Sequence, residues 1–422
     1  MKIALVAQPL DLVIHPSRNS LGIWIYEVAS RLAQSCNVIV YTKKGRLQRK
    51  ALQEKVARDE GVNYQLVPIA LDRVLLKLLQ PWARIGNSEY PLFASKLYYL
   101  GYALQVAIDL RKQQCDVVHL FNFSQFVPVI RACNPNLKII LRMSCEWLTQ
   151  LEHSMIQQRL REVDLIIGCS DYITEKTRRS FPEFANHCQT LLNGRDVNYF
   201  VPSNSQSDTE TNEIKKLLFI GRISPEKGVH VLLDAFAKVV ESYPQVELEI
   251  VGSRGVVPKE FIVELSNNPR VQSLASFYAE DYWLHLQNKL TCDLAKKVFF
   301  SGYTPHFELI NRYQQADIFI FPSVWDEPSG NPPIEAMAVG VPVISTRTGG
   351  TAEYVEDGKT GLLVEPGNPN SLAAAILRLL ENEDLRQAMG KAGRQRAVAL
   401  FSWERVVEKL LSKYEHICDS SG

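Results

Sequence analysis

Residues 316–346, ADIFIFPSVWDEPSGNPPIEAMAVGVPVIST, contain two short apolar runs on either side of a predicted helix. The runs ADIFIFPS and VPVIST have the length and composition of buried strands, and the helix is predicted near 333–339. Pro332 and Pro333 suit the first helical turn, and Gly340 suits the C-terminal stop before the second strand. This order of strand, helix and strand is typical of a parallel βαβ unit.

The same alternation continues on both sides of this stretch. Before it come KKLLFIG, a helix near 228–242, VELEIVG and KVFFSG, and after it come TGLLVEP and a long helical tail from about residue 370. The first half of the chain repeats the pattern from KIALVA to DLIIGCS. Strands that alternate with helices form parallel sheets covered on both faces. The sequence therefore predicts an α/β protein of two doubly wound, Rossmann-like domains.

The length of the chain, 422 residues, also favours two domains, because a single hydrophobic core stops growing near ~250–300 residues. Residues 201–213, VPSNSQSDTETNE, lose almost all apolar content and are predicted to be a linker. We therefore predict an N-terminal domain over 1–200, a C-terminal domain over 214–400, and an amphipathic helix over 401–422 whose packing partner the sequence does not indicate. Residues 254–297 are longer than a usual crossover and are predicted to form an extra helical segment.

Composition and charge exclude several classes of protein. The chain is 46% hydrophobic and 22% charged with a net charge of +1, so it has no general attraction for polyanions, and nucleic acid is not expected as a partner. Its eight cysteines include no CxxC pair, which indicates a reducing cytosol and no zinc site. Gln8, Pro9 and Asp11 interrupt the first apolar run too early for a signal peptide. No apolar stretch approaches the ~18–20 residues of a membrane span, and a cytoplasmic location is predicted.

Residues 71–100 combine Leu, Trp and Tyr with Arg73, Lys77 and Arg84. Such a composition fits an amphipathic surface that rests on a membrane or meets a lipid-linked acceptor. It also fits helices that pack on the N-terminal sheet. The sequence leaves both interpretations open, so peripheral membrane contact is one expectation.

Functional residues are expected in the loops at the carboxyl ends of strands, where open α/β sheets bind their ligands. The first such loop is GRISPEKGV, residues 221–229. Gly221 lets the backbone approach a ligand, and the cations Arg222 and Lys227 would together neutralise a diphosphate. A solvated loop with two surface charges is the alternative.

The second loop and helix, residues 327–340, read EPSGNPPIEAMAVG. Ser329, Gly330 and Asn331 are expected to approach the positive end of the helix, with Glu335 in its first turn. Carboxylates repel phosphate, so Glu327 and Glu335 would instead accept hydrogen bonds from hydroxyls, one of a ribose and one of a sugar. The alternative is a capping Glu and a surface Glu.

A third loop, TGGTAEYV over residues 348–355, offers flexible backbone at Gly349 and Gly350. It follows the strand VPVIST and is expected at the same sheet edge. An ordinary turn is the alternative interpretation.

Four segments together resemble the GT4 family of retaining glycosyltransferases: FIGRISPEKGV, the stretch 316–346, GGTAEYVEDGKTGLLVEPGN, and NGRDVNYF at 193–200. Their order and spacing match over about residues 190–400, and the first half of the chain is similar more loosely. The resemblance implies a GT-B fold, in which two Rossmann-like domains face a central cleft. It also implies transfer of a sugar from a nucleoside diphosphate sugar to an acceptor hydroxyl, with retention of anomeric configuration. A UDP- or GDP-sugar is the favoured donor.

Carried over position by position, the resemblance gives roles to the residues singled out above. Arg222 and Lys227 would hold the donor diphosphate and stabilise it as it leaves. Glu335 would bind the nucleotide ribose. Glu327, with the backbone of 329–331, would contact the transferred sugar.

Three further positions follow from the same resemblance. Tyr303 comes just after KVFFSG, where family members meet the base through backbone atoms. Asn193 and Gly194 fall at the NG motif that leads out of the N-terminal domain.

The N-terminal half departs from the family pattern at two places. The family often has two glycines in the first loop, whereas SRNSLGIW keeps only Gly22. It often has a second histidine after DVVH, whereas this chain has His119 and then Phe121 at the second position. His119 is predicted to end a strand and touch the sugar or the acceptor, and a purely structural role is equally open.

The chain contains no DxD pair of the kind that holds a divalent cation in the other main class of sugar transferases. We therefore predict metal-independent donor binding, no cofactor, and a carbohydrate acceptor that is lipid-linked or a small molecule. Two alternatives are a non-hydrolysing sugar-nucleotide epimerase and a non-catalytic nucleotide-sugar binder.

Overall fold

The computed structural model of the chain describes residues 1–13, 19–44, 61–83, 91–203 and 214–419. The chain divides into two units, one formed by Met1–Gly194 with Trp403–Gly422 and the other by Arg195–Ser402. The division therefore falls after Gly194, and residues 195–200 lie in the second unit. Most of the predicted linker, residues 204–213, lies outside the described residues, as does Arg84.

A seven-stranded parallel sheet forms the centre of the first unit, with the order β3-β2-β1-β4-β5-β6-β7. Every strand pairs in parallel with its neighbours; Ile3, for example, lies opposite Val38 on one side and Val117 on the other. The apolar runs read from the sequence are buried strands because such a sheet is covered on both faces. The strands are β1 (Lys2–Val6), β2 (Asn37–Lys43), β3 (Val62–Val67), β4 (Val117–Phe121), β5 (Lys138–Met143), β6 (Leu165–Gly168) and β7 (Cys188–Thr190).

The described α-helices of the first unit connect these strands, and one more comes from the C-terminus. They are α1 (Ser20–Leu32), α2 (Ala70–Ala83), α3 (Leu100–Gln113), α4 (Val127–Cys133), α5 (Trp147–Gln150), α6 (His153–Leu160), α7 (Asp171–Ser180) and α18 (Trp403–Asp419).

The C-terminal helix α18 returns to the first unit, although it follows the second unit in sequence. Val406, Val407 and Leu410 of this predicted amphipathic helix are buried and share a hydrophobic core with Trp24 and Val28 of α1. Each fully buried aliphatic side chain contributes about 1.5–3 kcal/mol. The helix is thus a packed element of the first unit.

The second unit is built on a six-stranded parallel sheet with the order β10-β9-β8-β11-β12-β13. Its strands are β8 (Lys215–Ile220), β9 (Val246–Val251), β10 (Val298–Gly302), β11 (Ile318–Phe321), β12 (Val343–Thr346) and β13 (Gly361–Val364). Its α-helices are α8 (Val229–Ser242), α9 (Pro269–Gln272), α10 (Ser276–Ala279), α11 (Tyr282–Asn288), α12 (Cys292–Ala295), α13 (Leu309–Gln315), α14 (Asn331–Val339), α15 (Thr351–Tyr354), α16 (Pro369–Leu380) and α17 (Glu383–Phe401).

Two details of the sequence analysis are confirmed in this unit. Prolines occupy the first helical positions of α14, and Gly340 ends it in the left-handed region with φ 87°. Residues 254–297 contain the four short helices α9 to α12, and Leu274, Tyr282 and Leu286 join the core that α8 packs on. Both parallel sheets predicted from the alternating pattern are therefore present.

Candidate active site

The carboxyl edge of the second sheet carries the loops that were predicted to bind a ligand. The strand order reverses between β8 and β11, which are parallel neighbours with Leu217 opposite Ile318. Because both strands end at the same edge, the loops 221–228 and 322–330 leave the sheet side by side. Such a switch point is where open parallel sheets bind ligands.

Glycine makes the close approach of these two loops possible. Gly228 has φ 71°, and a Cβ atom there would lie 2.0 Å from the carbonyl oxygen of Pro322. Any other residue would require backbone to shift, and its own backbone conformation would be strained. The glycine of SPEKGV thus allows the β8 and β11 loops to touch.

Arg222 is held by two buried groups of its own loop. Its Nη2 donates to Oε1 of Glu226 at 2.9 Å, and its Nε lies 3.3 Å from Oγ of Ser224. Ser224 in turn donates to the same carboxylate oxygen at 2.6 Å. Glu226 has no exposed surface, whereas 39% of the Arg222 side chain is exposed. A buried carboxylate therefore orients a cation that solvent reaches.

Lys227 and Glu327 form an ion pair between the two loops. The Nζ of Lys227 contacts both carboxylate oxygens, with 2.8 Å to Oε2. The two side chains are 14% and 4% exposed, and Nζ also lies 5.6 Å from the ring centres of Phe321 and Trp325. The residues expected to meet different parts of a donor are thus in direct contact with each other.

The loop after β12 supports the backbone at Glu327. Gly350 donates its N–H to the carbonyl oxygen of Glu327 at 2.7 Å. Gly349 has φ 47°, and a Cβ atom there would lie 2.2 Å from that same carbonyl oxygen. Gly349 is therefore required for the approach of this loop, and the third predicted loop lies beside the second.

Glu335 lies in the second turn of α14, and its predicted place in the first turn was wrong. The helix begins at Asn331, two residues before the predicted start, and Pro332 and Pro333 both lie in its first turn. Glu335 is buried and is surrounded by side chains from two other stretches of the chain, residue 195 and residues 306–313. Arg195 Nε lies 3.0 Å and His306 Nε2 2.9 Å from its Oε1, and Tyr313 donates to Oε2 at 2.9 Å.

The three side chains around Glu335 determine its protonation state. Burial by itself would raise its pKa, but His306, Arg195 and the hydroxyl of Tyr313 outweigh burial and hold the pKa below its usual value. Burial also lowers the pKa of Arg195, and the negative charge of Glu335 opposes that shift. Glu335 is therefore a carboxylate at neutral pH.

The depressed pKa of Glu335 predicts how stability changes in acid. The unfolded carboxyl takes up its proton near pH ~4.3, above the folded pKa, so the ionised network stabilises the fold above that pH. This stabilisation is lost as the pH falls through the folded pKa. We expect the loss to be smaller in Glu335→Gln, as measured by urea unfolding between pH 3 and pH 7. Glu241→Gln, at an exposed position of α8, is the control and should follow wild type; equal acid sensitivity in Glu335→Gln would contradict the assignment.

The remaining residues that were predicted to bind the nucleotide sugar lie around α14 and β10. Ser329 accepts a hydrogen bond from the hydroxyl of Tyr354 at 2.7 Å. Gly330 is the N-cap of α14, and Asn331 is its first residue rather than part of the approaching loop. Tyr303 directly follows β10, with 54% of its surface exposed.

Comparison with known proteins identifies a family whose sequence model covers these site residues. A sequence model of the family "Glycosyl transferases group 1" matches residues 202–396, nearly all of the second unit. The second unit therefore resembles the group 1 glycosyltransferases. The matched range contains Arg222, Lys227, Glu327 and Glu335.

Individual glycosyltransferases and related proteins extend the match to the whole chain. Spore coat protein SA of Bacillus subtilis is 28% identical over 428 residues, which are 98% of this chain and 99% of that protein. The D-inositol 3-phosphate glycosyltransferase of Corynebacterium jeikeium is 31% identical over 271 residues, 62% of this chain and 59% of that enzyme. The crystal structure of Anabaena Alr3699/HepE in complex with UDP and glucose has a TM-score of 0.69 at 18% identity, covering 99% of this chain and 100% of that chain. The last similarity concerns the fold, and the GT-B fold class expected for this chain is confirmed.

In the first unit of this chain, His119 is a core residue, and its expected position at a strand end was wrong. It is the third of five residues in β4 and has no exposed surface. Its Nδ1 lies 2.6 Å from the hydroxyl of Tyr414, and its ring stacks on Phe121 at 4.7 Å. Burial, together with the charge of Arg142, holds its pKa well below the usual value. A neutral, buried imidazole packs the core and is not placed to touch a substrate.

Gly22 lies in the first turn of α1 rather than in the loop before it. Its N–H donates to the side chain of Asn19 at 2.6 Å, which caps the helix. The backbone donor expected to meet a ligand is therefore already engaged. Ser17 and Arg18, the first two residues of the predicted loop, lie outside the described residues.

The NG motif at the end of the first unit is held by packing. Asn193 accepts a hydrogen bond from Nη2 of Arg142 at 2.8 Å. A Cβ atom at Gly194 would lie 2.0 Å from the ring of Trp403, so glycine is needed where α18 begins. These contacts give both residues a structural function within their own unit.

Arg195, His306 and Tyr313 were missed by the sequence analysis. Arg195 comes from one segment and His306 and Tyr313 from another, 306–315, and only the fold brings both to Glu335. Arg195 directly follows the NG motif, so it lies within a segment that carries the family resemblance. Among the described residues, no group of three or more His, Cys, Asp or Glu side chains is arranged to bind a metal.

Proposed function

We propose that this chain is a retaining, metal-independent glycosyltransferase of the GT4 type. It transfers a sugar from a UDP- or GDP-sugar to an acceptor hydroxyl and needs no cofactor besides the donor. The observation that carries the proposal is the Lys227–Glu327 pair at the switch point of the second sheet, with the guanidinium of Arg222 on the same loop as Lys227. Support for a uridine nucleotide comes from HepE, whose crystal structure is a complex with UDP and glucose.

The proposed chemistry depends on charge that develops as the diphosphate leaves. The bond from the anomeric carbon to the phosphate oxygen breaks, and negative charge grows on the diphosphate. Fixed cations that strengthen with this charge lower the barrier, and Arg222 and Lys227 are proposed to be those cations. The acceptor oxygen bonds to the anomeric carbon on the face from which the diphosphate leaves, and the proton of its hydroxyl passes to the leaving phosphate oxygen.

The two carboxylates are proposed to recognise hydroxyls. Glu327 accepts a hydrogen bond from the transferred sugar once Lys227 turns toward the diphosphate. Glu335 accepts one from the ribose, for which its ionised state is suited because a carboxylate is only an acceptor. The ion pair between the loops would thus rearrange when the donor binds.

A product assay tests the proposal against its alternatives. Purified protein is incubated with a UDP- or GDP-sugar, with and without a panel of sugar and lipid acceptors, in the presence of EDTA. We expect free nucleoside diphosphate only when an acceptor is present, and a product whose anomeric configuration by NMR equals that of the donor. Epimerised donor without an acceptor would indicate an epimerase, an inverted product would contradict retention, and loss of activity in EDTA would contradict metal independence.

We also propose that α2 rests on an anionic membrane surface on the cytoplasmic side. Leu71, Val74 and Leu78 follow one another at helical spacing and are 84%, 58% and 67% exposed. Arg73 and Lys77, which lie between these residues in sequence, are also exposed, and their positive charges suit anionic headgroups. None of the described helices is long and apolar enough to cross a membrane, so the contact would be peripheral.

Vesicle flotation tests this surface. We expect wild type to float with phosphatidylserine vesicles, and the double variant Leu71→Ser, Leu78→Ser to float at least several-fold less. Leu284→Ser, which changes an exposed leucine of the second unit, is the control and should behave like wild type. If wild type stays at the bottom of the gradient, α2 has no membrane function.

A further inference from the structure

The segment 254–297 begins against the loop that carries Arg222. The N–H of Ile223 donates to the carbonyl oxygen of Ser253 at 3.0 Å, and Ile223 forms an isolated bridge with Arg254. Further along, the hydroxyl of Tyr282 accepts the N–H of His230 at 3.2 Å and lies 2.9 Å from its Nδ1. The segment is therefore anchored at its start and along α8.

Between these anchors, two side chains of the segment bind Asp326 in the β11 loop. Arg270 Nη2 donates to Oδ1 of Asp326 at 2.6 Å, and Asn268 Nδ2 donates to Oδ2 at 2.9 Å. Arg270 Nε also donates to the carbonyl oxygen of Val324 at 2.7 Å. Both carboxylate oxygens of Asp326 and a neighbouring backbone carbonyl are thus bound from outside the loop.

The same loop is attached to its other neighbours by backbone hydrogen bonds. The N–H groups of Val324 and Trp325 donate to the carbonyl oxygen of Glu226 at 2.9 and 3.3 Å. On the far side, Gly350 binds the carbonyl oxygen of Glu327. Asp326 lies between these two attachments, and its side chain supplies the third.

Asp326 directly precedes Glu327, and adjacent Cα atoms are fixed about 3.8 Å apart. A shift of Asp326 therefore moves Glu327 and the carboxylate that Lys227 contacts. We propose that Arg270 is a positioning residue for Glu327, and that the segment 254–297 holds the Glu327 loop in its reactive geometry. This proposal rests on the proposed function of Glu327; Arg270 itself does not touch substrate.

The planar fork of arginine explains why this residue type is needed. Arg270 binds a carboxylate and a carbonyl oxygen through two different nitrogens in fixed directions. A lysine in its place would keep the charge but offer a single nitrogen. Arg270→Lys is therefore expected to restore part of what Arg270→Ala loses.

Kinetics of three variants test the positioning. Misplacement of a reacting group by ~1 Å costs up to about 10²-fold in rate, so we expect Arg270→Ala to lower kcat by about 10- to 100-fold. The KM for the donor should change less than about 3-fold, because Arg222 and the Glu335 network are untouched. Lys289→Ala removes a different ion pair of the same segment, with Asp234 at 2.7 Å, and should keep kcat near wild type.

Hydrogen exchange provides a readout that does not need activity. Arg270→Ala should raise exchange at the amides of Val324, Trp325 and Gly350 by about 10-fold or more, whereas Lys289→Ala should leave them unchanged. Arg270→Lys serves the same test if the alanine variant does not fold. Unchanged exchange at these amides, or a kcat loss no larger than that of Lys289→Ala, overturns the proposal. If wild type transfers no sugar but exchange responds as expected, the positioning stands and the proposed function fails.

Discussion

Replacing Lys227 with alanine is expected to lower kcat by about 10²–10³-fold, because the substitution removes one of the cations proposed to stabilise the leaving diphosphate. The side chain lies at the switch point of the second sheet, where it contacts Glu327 and is proposed to turn toward the diphosphate when the donor binds. The substitution also leaves the buried Glu327 without the cation that it contacts. Steady-state kinetics at saturating donor and acceptor measure the effect. Lys238→Ala, at an exposed position on α8, is the matched control and should retain wild-type kcat.

The pairing of Lys227 with Glu327 adds a second expectation. Residues that act as a unit are strongly non-additive, so the double variant Lys227→Ala, Glu327→Gln should lose less than the product of the two single losses. Strictly multiplicative losses would mean that the two side chains act independently. A kcat of Lys227→Ala within about 3-fold of wild type would contradict its assignment to the leaving diphosphate.

Arg195→Ala is expected to reduce the free energy of unfolding of the second unit by about 3–5 kcal/mol, the usual cost of removing one partner from a buried ion pair. Arg195 and Glu335 are 5% and 4% exposed, and their charged atoms lie 3.0 Å apart. The loss arises because Glu335 would stay buried with one cation fewer. Urea unfolding followed by a probe of the second unit measures it, since a chain of two units need not unfold in one step.

An exposed pair of the same unit is the control for Arg195. Arg347 lies 2.7 Å from Asp357, and the two side chains are about half exposed, so Arg347→Ala should cost only about 0–1 kcal/mol. Arg195→Ala combined with Glu335→Leu should be more stable than Arg195→Ala alone, because no buried charge is then stranded. A loss for Arg195→Ala as small as that for Arg347→Ala would mean that the network does not stabilise the unit.

Most of the sheet architecture can be predicted from the sequence, because each buried parallel strand corresponds to a short apolar run. The predicted start of α14 is two residues late, since prolines in the first turn are compatible with more than one start. The position of α18 could not be read, because an amphipathic stripe indicates that a helix is buried but not against which surface. His119 was misplaced for a similar reason: the length of a strand decides whether its histidine lies at the end or in the middle.

The sequence predicts which loops form the candidate site, but it does not predict which side chains contact each other there. The order of strands and glycines indicates that the loops with Lys227 and Glu327 leave the same sheet edge. It does not indicate where the side chains point, so their ion pair was unforeseen. Arg270 and Arg195 were also missed, because each reaches its partner from a segment that is distant in sequence and that only the fold brings close.

The central claim is that a nucleoside diphosphate sugar binds at Arg222, Lys227, Glu327 and Glu335, and a thermal-shift panel tests it most directly. Wild type and Arg222→Ala are heated with UDP-, GDP-, ADP- and dTDP-sugars, since a ligand that binds only the native state raises the Tm. We predict that a UDP- or GDP-sugar raises the Tm of wild type and that the shift is much smaller in Arg222→Ala. If none of the sugars shifts wild type, or if the shift is unchanged in Arg222→Ala, the donor does not bind at these four residues.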